Sequence, residues 1–178
     1  FPREPIPDAA AREAFVAAWE AAPERFRQWF RAWEPGGELP VDVVVDVVDW
    51  CEAMHYVDDA LGLCPLLSSF RGQYGGRPPY HLYNLAPFVA HAAGIDCTPE
   101  TLLAAARRTR TLVRAINASR GVGLGGGTGA AGAELLGKYC ASKGWSPQGV
   151  PLRRTLEDLG LGDVAEALES LGAEGATK

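Results

Sequence analysis

The feature that most limits the fold of this chain is the spacing of apolar residues between Val41 and Leu61. Apolar side chains, together with a cysteine and a histidine, recur there three or four residues apart: Val44, Val47, Val48, Cys51, Met54, His55 and Val57. The opening VDVVVDVV is β-branched and by itself fits a strand, but the periodic run is too long for one. We therefore predict one long helix that Gly62 ends.

The rest of the chain divides into further helical segments, separated by glycine and proline. Asp8 is a candidate N-cap for a helix over 8–33, which Pro23 is expected to break in two. Thr98 and Pro99 form a cap and first-turn pair for another helix, whose predicted apolar side carries Leu102, Leu103, Ala106, Leu112, Val113 and Ile116. Additional helices are predicted over 80–94, 133–143, 152–159 and 162–171, and a loop over 71–79. No repeat or βαβ alternation occurs, so the fold class is all-α and multihelical.

The 178 residues are predicted to form one helical domain, because this length buries a sufficient core without staples. Residues 121–132 hold seven glycines and are predicted to be irregular. The predicted parts are an N-terminal helical segment (1–40), core helices (41–120), the glycine-rich loop (121–132) and C-terminal helices (133–178).

Charge and cysteine content exclude several classes of protein. The formal net charge of −5 argues against nucleic acid or an anionic membrane as the main partner. No apolar run is long enough to span a bilayer, and no signal peptide pattern is present, so a cytoplasmic protein is expected. The four cysteines, Cys51, Cys64, Cys97 and Cys140, lack the spacing of a disulfide framework and are expected to be reduced. Because the sequence opens with Phe1, a processed or truncated piece of a longer protein is also expected.

Two short motifs resemble nucleotide-binding loops but lack the required context. Gly121, Gly123 and Gly126 match G-x-G-x-x-G, yet an arginine-rich helix and not a strand precedes them. The stretch GAELLGKY over 132–139 nearly spells a Walker A loop, but Tyr139 stands where the magnesium-binding hydroxyl belongs. We therefore predict no nucleotide site at either motif.

Two clusters each allow a functional and a structural interpretation. Cys51 and His55 stand four apart on one predicted helix face and are either two metal ligands or a buried thiol beside a hydrogen-bonded histidine. The arginines at 107, 108, 110 and 114 are either a solvated helix face or an anion site. The aromatic stripe of Phe26, Trp29, Phe30 and Trp33 is expected to be core.

The stretch VDDALGLC places a cysteine directly after a helix end. Gly62 permits the left-handed turn that ends the helix, and Pro65 prevents the helix from resuming, so the Cys64 thiol is expected on a rigid corner. Asp59 lies five residues before it. The residues alone leave two interpretations open for Cys64, a metal ligand or a small buried side chain, and Asp59 is a solvated or capping acid on the same grounds.

The segment DALGLC, Asp59 to Cys64, resembles the D-x-x-G-L-C motif of the aldehyde:ferredoxin oxidoreductase family, the tungsten or molybdenum bis-pterin enzymes. Two further segments are similar to that family in the same order: AAGIDCTPETLLAAARRTRTLVRAIN over 92–117, and YCASKGWSPQGVPLRRTLEDLGLGDVAEAL over 139–168. The three segments in register cover about two-thirds of the chain. The resemblance is to the last, all-helical domain of the family.

The resemblance implies roles for three residues. Cys64 would be the fourth ligand of a [4Fe–4S] cluster, Asp59 would hydrogen-bond a pterin, and Leu63 would adjoin the cofactors through its backbone. The other three cluster cysteines of the family belong to a C-x-x-C-x-x-x-C motif in an earlier domain, and this sequence has no such motif. The implied partners are therefore missing N-terminal or central domains, or a partner subunit, and the chain alone is expected to be inactive.

The implied function is the oxidation of a small aldehyde to a carboxylate, with ferredoxin as the electron acceptor, and no catalytic residue is identified in this chain. One alternative is a stand-alone helical binding or assembly module without redox activity. Another is an unrelated helical enzyme that uses Cys51, His55 or the arginines. The oxidoreductase interpretation expects Cys64 and Asp59 on an exposed concave face, whereas the last alternative expects a closed pocket around Cys51 and His55.

Overall fold

A computed structural model describes residues 6–34, 36–64, 81–125 and 129–172. Within these ranges the chain forms eight helices and no β-strand: α1 (Ala9–Glu20), α2 (Glu24–Ala32), α3 (Val41–Leu61), α4 (His81–Ala93), α5 (Pro99–Ser119), α6 (Ala130–Lys143), α7 (Arg153–Asp158) and α8 (Gly162–Ser170). The predicted all-α fold is confirmed. The predicted loop over 71–79 lies outside the described residues.

The chain divides into two compact units, Phe1–Leu103 and Ala104–Lys178, and the boundary falls inside α5. The first unit contains α1 to α4, and the second contains most of α5 and all of α6 to α8. One domain over 1–178 remains a prediction.

Aromatic side chains form the core of the first unit. Asp8 caps α1 by accepting a hydrogen bond from the Ala11 N–H at 2.9 Å, and Pro23 separates α1 from α2, as predicted. The predicted stripe packs inward: Phe26 is fully buried, with its ring centroid 5.0 Å from that of Trp50 on α3. Phe30 and Trp33 are half-buried and pack against Phe15 of α1. These contacts join α1, α2 and α3 into one hydrophobic core.

A polar network fixes α2 against α3 beside this core. The Arg25 guanidinium lies 2.6 Å from Asp46 Oδ1 and 3.1 Å from Asp49 Oδ2, and Trp29 Nε1 donates to Asp46 Oδ2 at 2.6 Å. Burial lowers the pKa of Arg25, but hydrogen bonds and charge from both carboxylates outweigh burial and raise that pKa above its ordinary value. Arg25 therefore keeps its charge, and the partly buried ion pair fixes the relative position of the two helices.

The second unit is built around a smaller aliphatic core. Its buried members come from α5, α7, α8 and the segments flanking α7: Ala115, Val150, Leu156, Leu161, Ala165 and Leu168. The α6 helix begins at Ala130, three residues before the predicted start, so the end of the predicted glycine-rich loop is helical. Residues 121–125 at the start of that loop are not helical.

Four helices end with the same backbone motif, in which a left-handed glycine follows the helix. The glycine φ angles are 68° at Gly62, 72° at Gly121, 66° at Gly144 and 66° at Gly160. In each case the N–H of the next residue donates to the carbonyl five residues before it, at distances of 2.8 or 2.9 Å. This is the Schellman motif, and it fixes the direction in which the chain leaves each helix.

Two glycine-to-alanine changes are expected to have opposite effects on stability. Gly62→Ala forces a side chain into a left-handed backbone conformation at an otherwise open position, at a cost of roughly 1–2 kcal/mol. Gly137→Ala lies inside α6 with open space around it and should stabilise the protein by up to about 1 kcal/mol, because alanine is the better helix former. Urea unfolding of both variants measures the two free energies. Effects of the same sign would contradict this assignment of backbone strain.

Candidate functional site

The last turn of α3 places two adjacent carboxylates in opposite environments. Asp58 is only 1% exposed, whereas Asp59 is exposed to solvent. Beyond the helix, Leu63 is half-buried and the Cys64 thiol is exposed. The structure thus presents Asp59 and Cys64, the two predicted cofactor contacts, at the end of one helix and accessible from outside.

Backbone hydrogen bonds fix this corner. Gly62 donates its N–H to the Asp59 carbonyl at 3.2 Å, and Leu63 donates to the Asp58 carbonyl at 2.8 Å. Main-chain hydrogen bonds therefore tie the backbone that leads to Cys64 to the end of α3. Pro65, which contributed to the prediction of a rigid corner, lies outside the described residues.

The Cys64 thiol and the Asp59 carboxylate are suited to form part of a metal cofactor site. A thiolate is the ligand that iron–sulfur clusters use, and an exposed carboxylate accepts hydrogen bonds from N–H groups of a ligand. In the part of the chain that the structure describes, no group of three or more His, Cys, Asp or Glu side chains is arranged to hold a metal. The corner itself offers one thiol and one carboxylate as donor groups.

Cys51 and His55 lie on α3 as predicted, and both are half-buried. Both take part in interactions with other groups. No third ligand joins them among the described residues, so the arrangement there does not complete a metal site.

A groove of about 230 Å³ lies in the second unit, between α5 and α8, and is lined mainly by apolar side chains such as Leu112, Ile116 and Leu168.

Three of the four arginines of α5 contact different groups: Arg108, Arg110 and Arg114. Arg108 donates to the carbonyls of Leu159 and Gly160, closing the end of α7. The Arg110 guanidinium lies over two rings, 5.3 Å from the centroid of Tyr139 and 5.5 Å from that of Trp145. The predicted solvated helix face is therefore wrong for Arg110, because aromatic side chains cover its charged group.

Arg114 also departs from the predicted solvated face, since it is only 6% exposed. Its Nε donates to the Gly149 carbonyl at 2.5 Å and its Nη2 to the Val122 carbonyl at 2.7 Å. Burial lowers the pKa of Arg114 and raises the pKa of the nearby Cys140 thiol, and in each case the other group opposes the shift. Arg114 thereby joins α5 to the start of the glycine-rich loop and to the turn before α7.

The two nucleotide-like motifs lie in backbone contexts that differ from those of nucleotide-binding loops. Residues 132–139, the near match to Walker A, lie within α6 and do not form a phosphate-binding loop. Gly121 and Gly123 follow α5, so the strand that a dinucleotide site requires does not precede them. Gly126 lies outside the described residues.

Two features of the structure were not predicted from the sequence. Asp58 was given no role, although it stands four residues after Met54 and three after His55, which places it on the inner face of α3. Val113 and Ile116 were predicted on the apolar side of α5, yet they are 40% and 42% exposed, while Arg114 is buried. Helical spacing was the available signal for Asp58, but no sequence signal marks Arg114 as buried.

The helices and the corner after α3 define the class of this chain, an all-α domain that displays an aspartate and a cysteine at the end of one helix. The family model described as aldehyde ferredoxin oxidoreductase, domains 2 & 3, matches residues 10–161. Because this match covers most of the chain, the chain belongs to the aldehyde ferredoxin oxidoreductase family. The resemblance inferred from the sequence is confirmed.

One solved structure is similar over nearly the whole chain: the active site complex BamBC of benzoyl coenzyme A reductase in complex with 1,5-dienoyl-CoA. The two chains are 40% identical with a TM-score of 0.73, and the match covers 97% of this chain and 28% of that one. The present chain thus spans little more than a quarter of that solved chain. No curated protein matches the sequence. Among the helices that the structure describes, none combines the length and apolar character needed to cross a bilayer.

Proposed function

We propose that this chain is the C-terminal part of a tungsten- or molybdenum-pterin, iron–sulfur oxidoreductase, and that the end of α3 contributes to its cofactor site. The observation that carries this proposal is the family match over residues 10–161, combined with a D-x-x-G-L-C motif whose cysteine and aspartate are both exposed. Had both side chains been enclosed in the core, no cofactor outside the chain would reach them.

Three residues form the proposed contacts. Cys64 supplies one thiolate to a [4Fe–4S] cluster, and Asp59 accepts hydrogen bonds from the pterin as a charged acceptor. Leu63 lies between them and adjoins the cofactors through its backbone. The metal and the pterin, when bound, supply the two-electron chemistry, while this chain holds and orients them.

The rest of the centre belongs to other polypeptide in this proposal. A [4Fe–4S] cluster needs three further thiolates, which we assign to N-terminal or central domains or to a partner subunit. The match to 28% of a longer solved chain supports this division. We place the assembly in the cytoplasm, where thiols stay reduced, with ferredoxin as its electron partner.

We propose that the substrate is a coenzyme A thioester of an aromatic acid, which the enzyme reduces. Support comes from the 40% identity to a chain of the benzoyl coenzyme A reductase active site complex, over 97% of the present chain. The second candidate reaction is the oxidation of a small aldehyde to a carboxylate with ferredoxin as acceptor. The family name supports that reaction.

Purification of the protein together with the polypeptides that it assembles with tests this proposal. We expect a brown complex that contains iron and either tungsten or molybdenum, measured by metal analysis. Activity should appear with benzoyl-CoA and a low-potential electron donor, and small aldehydes with ferredoxin form the comparison assay. Aldehyde activity alone would select the second reaction, and a colourless assembly without iron would select the stand-alone binding module.

A further inference from the structure

We infer that Asp58, the buried neighbour of Asp59, is a positioning residue that fixes the orientation of the Asp59–Cys64 corner. The inference rests on the proposed function of that corner and adds a residue to which the resemblance gives no role.

The side chain of Asp58 is buried in the first unit. It is 1% exposed and lies on the inner face of α3 with three large buried side chains, Trp50, Met54 and Val57. Asp58 takes part in an interaction with another group. Burying a carboxylate is costly, and an apolar residue of similar size would pack at this position without that cost. A polar contact in the interior is directional, so Asp58 restricts the rotation of the last turn more than an apolar side chain does.

The rotation of that turn determines where Asp59 points. Successive residues of an α-helix are rotated by about 100° around its axis, since one turn takes about 3.6 residues. With Asp58 held in the interior, Asp59 is turned outward, as its exposure shows. The orientation of the proposed pterin contact therefore depends on the residue before it.

The backbone of Asp58 also contributes to the geometry of the corner. Its carbonyl accepts the Leu63 N–H at 2.8 Å, so the segment that carries Cys64 leaves the helix from this same residue. The side chain of Asp58 fixes the rotation of the helix end, and its carbonyl fixes the exit of the chain. The separation and relative direction of the carboxylate at 59 and the thiol at 64 follow from both.

The same helix offers a matched control. Asp49 is also an acid of α3 with little exposure, 8%, but it pairs with Arg25 at 3.1 Å. It precedes Asp58 by nine residues, or about 13 Å along the helix axis. A change at Asp49 alters the interior of the first unit without reaching the corner.

The test compares Asp58→Leu, Asp58→Asn and Asp49→Leu in the holoenzyme. Asp58→Leu keeps the interior filled, so we expect a thermal midpoint close to that of the unchanged protein. Iron loss to a chelator should nevertheless accelerate about fivefold, the factor that ~1 kcal/mol represents, and the electron paramagnetic resonance spectrum of the cluster should change. Asp58→Asn retains the shape and an acceptor oxygen and should restore both properties. Asp49→Leu should lower the thermal midpoint with an unchanged iron-loss rate and spectrum.

The outcomes distinguish a failure of the positioning role of Asp58 from a failure of the proposed function. If Asp58→Leu leaves both the iron-loss rate and the spectrum unchanged, or if Asp49→Leu changes them equally, the positioning role is wrong. A parallel Cys64→Ser variant reports on the proposed function. If that variant keeps its iron, the cluster assignment fails, whereas iron loss with a normal Asp58→Leu spectrum removes only the role of Asp58.

Discussion

Replacing Cys64 by serine is expected to remove most of the iron–sulfur cluster from the holoenzyme and to abolish turnover. Serine offers a hydroxyl that stays protonated at neutral pH, whereas cluster iron is held by thiolates. Because Cys64 is exposed, the free energy of unfolding should change by less than about 0.5 kcal/mol. Iron per protein, visible absorbance and turnover measure the effect, and circular dichroism monitors the fold.

Cys97→Ser is the matched control for this variant. Cys97 lies in the same unit, directly before the cap of α5, and is half-buried. We expect the serine variant at 97 to keep its iron and its activity. An assembly that retains iron and turnover with serine at 64 would contradict the proposed cluster ligand.

Replacing Arg114 by methionine is expected to cost about 2–4 kcal/mol of folding free energy in the second unit. Methionine fills part of the space but removes both hydrogen bonds that the guanidinium donates, to the carbonyls of Gly149 and Val122. Gly149 is buried, so its carbonyl loses its partner in a place that water does not easily reach. Chemical unfolding, followed by tryptophan fluorescence, measures the loss.

Arg107→Met provides the comparison on the same helix. Arg107 is exposed, and its replacement should change the free energy of unfolding by no more than about 0.5 kcal/mol. Equal losses at 107 and 114 would show that the buried hydrogen bonds of Arg114 do not stabilise the unit.

The helices were predictable where local chemistry decides the structure. Pro23 breaks the first helical segment, Asp8 and Thr98 begin helices, and Gly62 ends α3, because proline, capping side chains and left-handed glycine act on their immediate neighbours. The long period of α3 also outweighed its β-branched start. The start of α6 was less predictable, since alanines next to glycines carry no clear boundary signal.

The site was less accessible to sequence reasoning. Asp59 and Cys64 were identified by the resemblance to a family. Their residue types alone also allowed structural roles, a solvated or capping acid at 59 and a small buried side chain at 64. The burial of Arg114 depends on Gly149, 35 residues away, and no local pattern encodes such a contact. For the same reason the outer side of α5 was misassigned at Val113 and Ile116, where apolar residues remain exposed.

The backbone closure at the end of α3 bears on how such a corner can evolve or be redesigned. Main-chain hydrogen bonds and a left-handed glycine close the turn, and neither the side chain of Asp59 nor that of Cys64 takes part in those hydrogen bonds. We therefore expect another ligating residue such as histidine to be accommodated at either position with the helix end unchanged. The backbone turn at the end of α3 would then present different coordinating side chains while the helix and its end keep the same geometry.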